Sequence, residues 1–171
     1  MSSKMKQKKS TRQDQETAET RFDILKKLRV IIRAAQQHSQ WIEKQCGVKG
    51  AQLWLIQELA DSEGMRVGEL AGRLSIHQTT TSNLLDGLVK RGYVEKIRDP
   101  EDQRAVRVHL TKQGHALLAD APKPARGLLP EALMHMDTEA MQTLNTGLQA
   151  LIDGIETVDE GFEMLPLPFT M

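Results

Sequence analysis

One stretch of this 171-residue chain abandons the apolar rhythm of everything around it. Tyr93-Val94-Glu95-Lys96-Ile97 and Ala105-Val106-Arg107-Val108-His109-Leu110 are strand-like, and in the second of them Val106, Val108 and Leu110 alternate with Arg107 and His109. Between them Arg98-Asp99-Pro100-Glu101-Asp102-Gln103-Arg104 carries a proline and three acids, which makes it a turn. The two strands and the turn form a hairpin with a charged tip. All other periodic segments read as helix, so the fold class is mainly α with a small β-hairpin.

The helical segments are set by apolar spacing. Phe22, Leu25, Leu28, Ile32, Ala35 and Ile42 form one stripe, and Ile24, Ile31, Ala34, His38 and Trp41 form a second on another side of the same helix. A helix apolar on two sides needs two partners, its own core and something else, often a second subunit. After the stop at Cys46-Gly47-Val48-Lys49-Gly50, a second helix runs from Ala51 to about Ser62 and is broken by Glu63-Gly64. Two short turns at residues 67–74 follow. A further helix carries Ile76, Leu84, Leu85 and Leu88 and ends at Gly92. Thr111 is placed to cap the next helix, which Pro122 and Pro124 stop or kink. Residues 128–136 read as helix, and Asp137 caps a last one with Met141, Leu144, Leu148, Leu151, Ile152 and Ile155 on one face. These signals divide the chain into a basic arm expected to be disordered (1–21), an N-terminal helix (22–46), a central segment ending in the hairpin (51–111), C-terminal helices (112–156) and an irregular tail (157–171).

Helix, short helix, helix and charged hairpin is the order of a winged helix-turn-helix. The major groove admits one helix, whose exposed face must be polar and able to hydrogen-bond. The third helix offers His77, Gln78, Thr79, Thr80, Ser82 and Asn83, then Lys90 and Arg91. Gln and Asn suit adenine edges, Thr suits a thymine methyl or a phosphate, and the terminal cations suit phosphates. Arg98 and Arg104 flank the hairpin tip, where an arginine can enter a narrow minor groove, and Asp99 or Asp102 is close enough to hold an arginine by a charge-assisted bond. Thr81 falls where an apolar contact is expected and is predicted to be partly buried. Charge agrees with this layout. Lys and Arg total 23, as do Asp and Glu, yet residues 66–115 hold nine basic and six acidic residues while residues 116–171 hold two basic and nine acidic. A basic middle and an acidic end are what a chain touching a polyanion on one side would show.

Residues about 50–115 resemble the MarR family of bacterial regulators. The resemblance is carried by Val67-Gly68-Glu69-Leu70-Ala71, by Leu88-Val89-Lys90-Arg91-Gly92-Tyr93-Val94, by Asp99-Pro100-Glu101-Asp102-Gln103-Arg104 and by Leu110-Thr111-Lys112-Gln113-Gly114. It implies a cytoplasmic homodimer on a pseudo-palindromic double-stranded DNA operator, usually a repressor, released by a small phenolic or aromatic carboxylate-like ligand. The recognition helix would be His77 to Arg91 and the wing Lys96 to Arg107, with Asp102 orienting Arg104 toward the minor groove. The dimer surface would come from residues 22–42 and the C-terminal helices. Three departures stand out. Arg66 and His77 occupy the usual Ser/Thr cap positions, with Ser75-x-x-Gln78 offering a substitute capping box one turn earlier. Gly87 lies inside the recognition helix, and Pro122 and Pro124 interrupt the connecting helix.

Other functions find less support. Charged residues at 27% and hydrophobic ones at 39% fit a soluble globular chain, and no apolar run approaches the roughly 18 residues of a spanning helix. No membrane partner is expected. A single cysteine, Cys46, makes neither an intramolecular disulfide nor a thiolate metal site, which favours a reducing cytoplasm. No phosphate loop, nucleophile elbow or carboxylate pair points to an enzyme, and no cofactor is implied. His38, His77, His109, His115 and His135 lack the spacing of a helical metal pair. A redox regulator acting through Cys46, its pKa lowered by Lys44 and Lys49, is one alternative. A winged-helix interaction protein that does not bind DNA is another. An anionic aromatic effector could be held by Arg33, His38, Trp41 and Trp54, a cation among aromatic walls.

Overall fold

The computed structural model describes residues 2–62, 64–99, 102 and 105–171, with side chains from residue 15 onward. Seven helices and three strands are described: α1 (Ser2–Cys46), α2 (Gly50–Asp61), β1 (Met65–Arg66), α3 (Val67–Leu74), α4 (Gln78–Lys90), β2 (Val94–Arg98), β3 (Val106–Leu110), α5 (Lys112–Asp120), α6 (Leu128–Met134) and α7 (Thr138–Asp153). The chain divides into two units, residues 1–35 and residues 36–171.

The first unit is helix throughout its described length. Residues 2–21, expected as an irregular arm, belong to α1. The reason is propensity: α1 contains no Gly or Pro and is rich in Lys, Gln, Arg and Ala, so basic charge without an apolar stripe still leaves a helix-forming backbone. Phe22, Val30 and Ile32 on it are more than half exposed.

The second unit is organised around α2. Leu53, Leu55 and Ile56 are fully buried together with Leu70 of α3, Leu85 and Leu88 of α4 and Val108 of β3. Their spacing places one apolar face of each short helix on a shared core. The sheet is antiparallel in the order β1-β3-β2, with Lys96 opposite Val108 and Arg98 opposite Val106. The hairpin is as expected. The third strand, β1, has two residues, too few for any period to show. Its pairing of Met65 with Val108 fastens the wing to the start of α3.

Caps at the later helices follow the sequence. Thr111 Oγ1 accepts from Gly114 N–H at 3.1 Å and itself donates to Gly92 O at 2.7 Å, so one hydroxyl joins the start of α5 to the turn after α4. Asp137 accepts from Ala140 N–H at 2.7 Å. The capping box expected at Ser75 does not form. Ser75 takes a left-handed conformation as the C-cap of α3, and His77 is the N-cap of α4. At Arg66 the cap works in reverse, with the Glu69 carboxylate accepting from Arg66 N–H at 2.7 Å. The tail is not wholly irregular, since residues 162–164 and 168–170 form single 3-10 turns.

Candidate nucleic-acid interface

Helix α4 buries Leu84, Leu85, Leu88 and Thr81 and turns the opposite side outward. Thr81 is more deeply placed than expected, fully buried, because its hydroxyl donates to His77 O at 3.1 Å and leaves no polar group unpaired. His77, Gln78, Thr79, Asn83 and Lys90 are exposed, and Thr80 and Ser82 are half-buried. One helix face therefore brings together the amide, hydroxyl and imidazole groups that base edges require. Gly87 faces inward. A Cβ there would sit 2.8 Å from Gln52 Nε2, whose amide reaches past it to Leu84 O at 3.2 Å. The glycine leaves room for this bond between α2 and the α4 backbone.

Arg91, expected at a phosphate, is exposed and has partners within the fold. Its guanidinium donates to Gly47 O and stacks 5.1 Å from the centre of the Tyr93 ring. It holds the turn between α1 and α2 against the end of α4, which leaves Lys90 as the freer terminal cation of this helix. Lys96 Nζ donates to Asp86 Oδ1 at 2.7 Å, bracing β2 on α4, and this bond holds the Asp86 carboxyl below its ordinary range.

The base of the wing holds a cluster that sequence reading only half found. Asp99 is 4% exposed. Its carboxylate accepts from Arg107 Nε at 2.7 Å, and Arg66 lies 3.6 Å away. Arg107 also donates to Gly64 O at 2.9 Å, and Arg66 stands 3.8 Å from Asp102. Asp99 thus holds Arg107 and lies within ion-pair reach of Arg66, which also faces Asp102. Alternation along β3 could not reveal this, because Arg66 comes from β1, far off in sequence. Arg98 is exposed at the end of β2. Arg104, and with it the expected Asp102–Arg104 pair, lies outside the described residues.

The polar helix, the strand-bound wing and their order coincide with a known family. The MarR family model matches residues 47–105. YsmB of Bacillus subtilis, described as an uncharacterized HTH-type transcriptional regulator, is 34% identical over 98 residues, which cover 57% of this chain and 67% of that protein. The chain belongs to the MarR family. The transcriptional repressor MprA of Escherichia coli K12 is 24% identical over 102 residues, and the chain spans only 58% of its length. Among solved structures, the regulator BldR from Sulfolobus solfataricus superposes with a TM-score of 0.53 at 22% identity, covering 81% of this chain and 98% of that one. An Escherichia coli MarR variant complexed with operator DNA gives a TM-score of 0.51 at 22% identity, over 76% and 96% of the two chains. At such identities the likeness is one of fold, the winged helix with flanking helices.

Of the residues expected to hold an effector in this MarR-family chain, His38, Trp41 and Trp54 belong to the second unit and Arg33 to the first. His38 is buried, with Nε2 2.9 Å from Pro124 O, and meets Trp41 edge to face at a 5.8 Å ring separation. Trp54 has a different partner, donating from Nε1 to Glu58 Oε1 at 3.0 Å. Arg33 is exposed and belongs to the first unit. Glu58, which no spacing argument singled out, is 3% exposed and also accepts from Arg126 Nε at 2.7 Å and Arg73 at 3.2 Å. No helix among the described residues is long and apolar enough to cross a membrane.

The redox alternative fares poorly on geometry. Cys46 is half-buried. Burial pushes its thiol pKa up, Asp120 adds to the rise, and Lys123 opposes both. The cation expected from Lys49 is instead engaged by Glu43. A raised pKa means less thiolate at a given pH, so iodoacetamide at pH 8 should modify Cys46 several-fold more slowly than free cysteine. Mass spectrometry of timed aliquots measures this. Modification faster than free cysteine would restore the redox reading.

Proposed function

We propose that this MarR-family protein is a sequence-specific double-stranded DNA-binding transcriptional regulator. It would act as a homodimeric repressor on a pseudo-palindromic operator, released by a small phenolic or aromatic carboxylate-like ligand. The observation that carries the DNA reading is the outward polar face of α4, Gln78, Thr79 and Asn83, set beside a wing whose arginines are organised by a buried aspartate. An amide side chain can pair two ways with an adenine edge, and each such pair discriminates by roughly 1–3 kcal/mol. The operator complex of the E. coli MarR variant supports the same assignment by analogy of fold.

The homodimer reading draws on apolar residues left in water. Met141, Leu144, Leu148, Leu151, Ile152 and Ile155 along α7 and its end are each between 38% and 51% exposed. An apolar stripe of that length marks an association surface. Ligand release rests on the family resemblance and on the partly exposed Trp41 beside His38, which gives a fluorescent reporter for titration with salicylate-like compounds.

The test is fluorescence anisotropy on the DNA upstream of the protein's own gene, against scrambled duplex, across a salt series. Wild type should bind selectively with a steep salt slope. Gln78→Ala should lose about tenfold or more on the operator and little on scrambled DNA, whereas Lys90→Ala should weaken both alike and flatten the slope by about one. Equal binding of both proteins to every duplex would remove the base-reading role of α4.

A further inference from the structure

The acidic tail passes the start of α4. His77, the N-cap of α4, donates its backbone N–H to Met164 O at 3.0 Å. Gly161 lies against the His77 ring, where a Cβ would be 3.6 Å from Nε2. The chain turns there because Gly161 adopts φ +87, a conformation that residues with a Cβ rarely take. A second anchor lies further on. Ser39, 5% exposed, donates its hydroxyl to Phe169 O at 2.6 Å, and Thr170 packs over Gly50 at the start of α2. Turns within the segment, Met164 N–H to Gly161 O at 3.0 Å and Thr170 N–H to Leu167 O at 2.8 Å, give it a defined shape between the two anchors.

Charge makes the position consequential. Glu156, Asp159, Glu160 and Glu163 carry four negative charges, and no Lys or Arg follows Arg126. A helix N-terminus in the major groove offers its free N–H groups and its positive dipole end to phosphates and base edges. In the docked state the His77 backbone N–H at that end of α4 is occupied by Met164 O, the Gly161 turn lies beside the otherwise exposed His77 ring, and Glu163 immediately precedes the accepting residue.

We propose that residues 157–171 form an intramolecular strap that closes the N-terminal end of α4 and must leave before DNA can be read there. The proposal rests on the DNA-binding reading above. Apparent affinity then equals the intrinsic affinity multiplied by the fraction of chains with the strap off. Two anchoring hydrogen bonds correspond to roughly a 5- to 50-fold penalty. The strap is therefore an adjustable brake on binding.

Two full-length variants detach it from opposite ends. Gly161→Val cannot hold the left-handed turn, and Ser39→Ala removes the far anchor. Each is measured in two ways against wild type: anisotropy on a pool of random-sequence duplex, and hydrogen exchange of the His77 amide. Each variant loses one of the two anchors, so each should bind about 2- to 7-fold tighter and exchange the His77 amide faster. Two results would overturn the strap while leaving the DNA reading intact. One is wild-type affinity in variants whose His77 amide has been released. The other is a His77 amide already unprotected in the free wild type. If neither wild type nor variants bind any duplex, the strap falls together with the DNA reading.

Discussion

Gly114→Ala should lower stability by about 3 kcal/mol, although it removes a glycine from a helix. Helix propensity alone predicts the opposite, a gain of about 1 kcal/mol. Packing decides the sign. Gly114 is buried in the first turn of α5, and a Cβ there would fall inside the van der Waals envelope of the Tyr93 carbonyl oxygen and within 2.6 Å of Leu110 Cδ2. The carbonyl cannot retreat easily, because it also accepts from Thr111 N–H at 3.1 Å. Either α5 lifts away or the start of β2 shifts, and both break the hydroxyl bridge through Thr111. Urea titration at fixed protein concentration should show a lower midpoint with an unchanged slope. A midpoint raised by an amount worth about 1 kcal/mol would mean that α5 does not approach Tyr93 so closely.

Glu58→Ala should cost a similar amount, about 3 kcal/mol, for a different reason. The carboxylate is the common acceptor of Trp54, Arg73 and Arg126, and thereby ties α2 to α3 and to the segment after α5. Removing it leaves the indole N–H and a partly buried guanidinium without their acceptor. Arg126 keeps a bond to Asp61 and Arg73 is half exposed, which places the expected loss at the lower end for a broken buried pair. A double-mutant cycle with Arg126→Ala should give a coupling of about 1–3 kcal/mol, since the two groups touch. A loss below about 0.5 kcal/mol would show Glu58 to behave as an ordinary surface ion-pair member.

Local patterns were legible where the physics is local. The amphipathic spacing of Leu84, Leu85 and Leu88 determines which side of α4 is buried, and so which residues, Gln78, Thr79 and Asn83, remain exposed. Val106, Val108 and Leu110 announce β3, and Thr111 and Asp137 announce the helices they cap. The first residues of α1 carry no apolar stripe, yet their helix propensity suffices to extend the helix through them. The roles of Arg91, Asp99 and Glu58 were out of reach for a firmer reason. Each is defined by partners distant in sequence: Gly47 for Arg91, Arg66 for Asp99, and Arg126 for Glu58.

The same division applies to the protein as a whole. Sequence by itself determined the order of elements, the winged-helix class and the polar face of the reading helix, because period, propensity and capping act over a few residues. Only the tertiary structure decided which charges are occupied by the fold, why Gly114 must be a glycine, and that the acidic tail returns to His77. Those depend on distances between segments that no local periodicity encodes, and a bond across the fold is seen only when both of its ends have been placed.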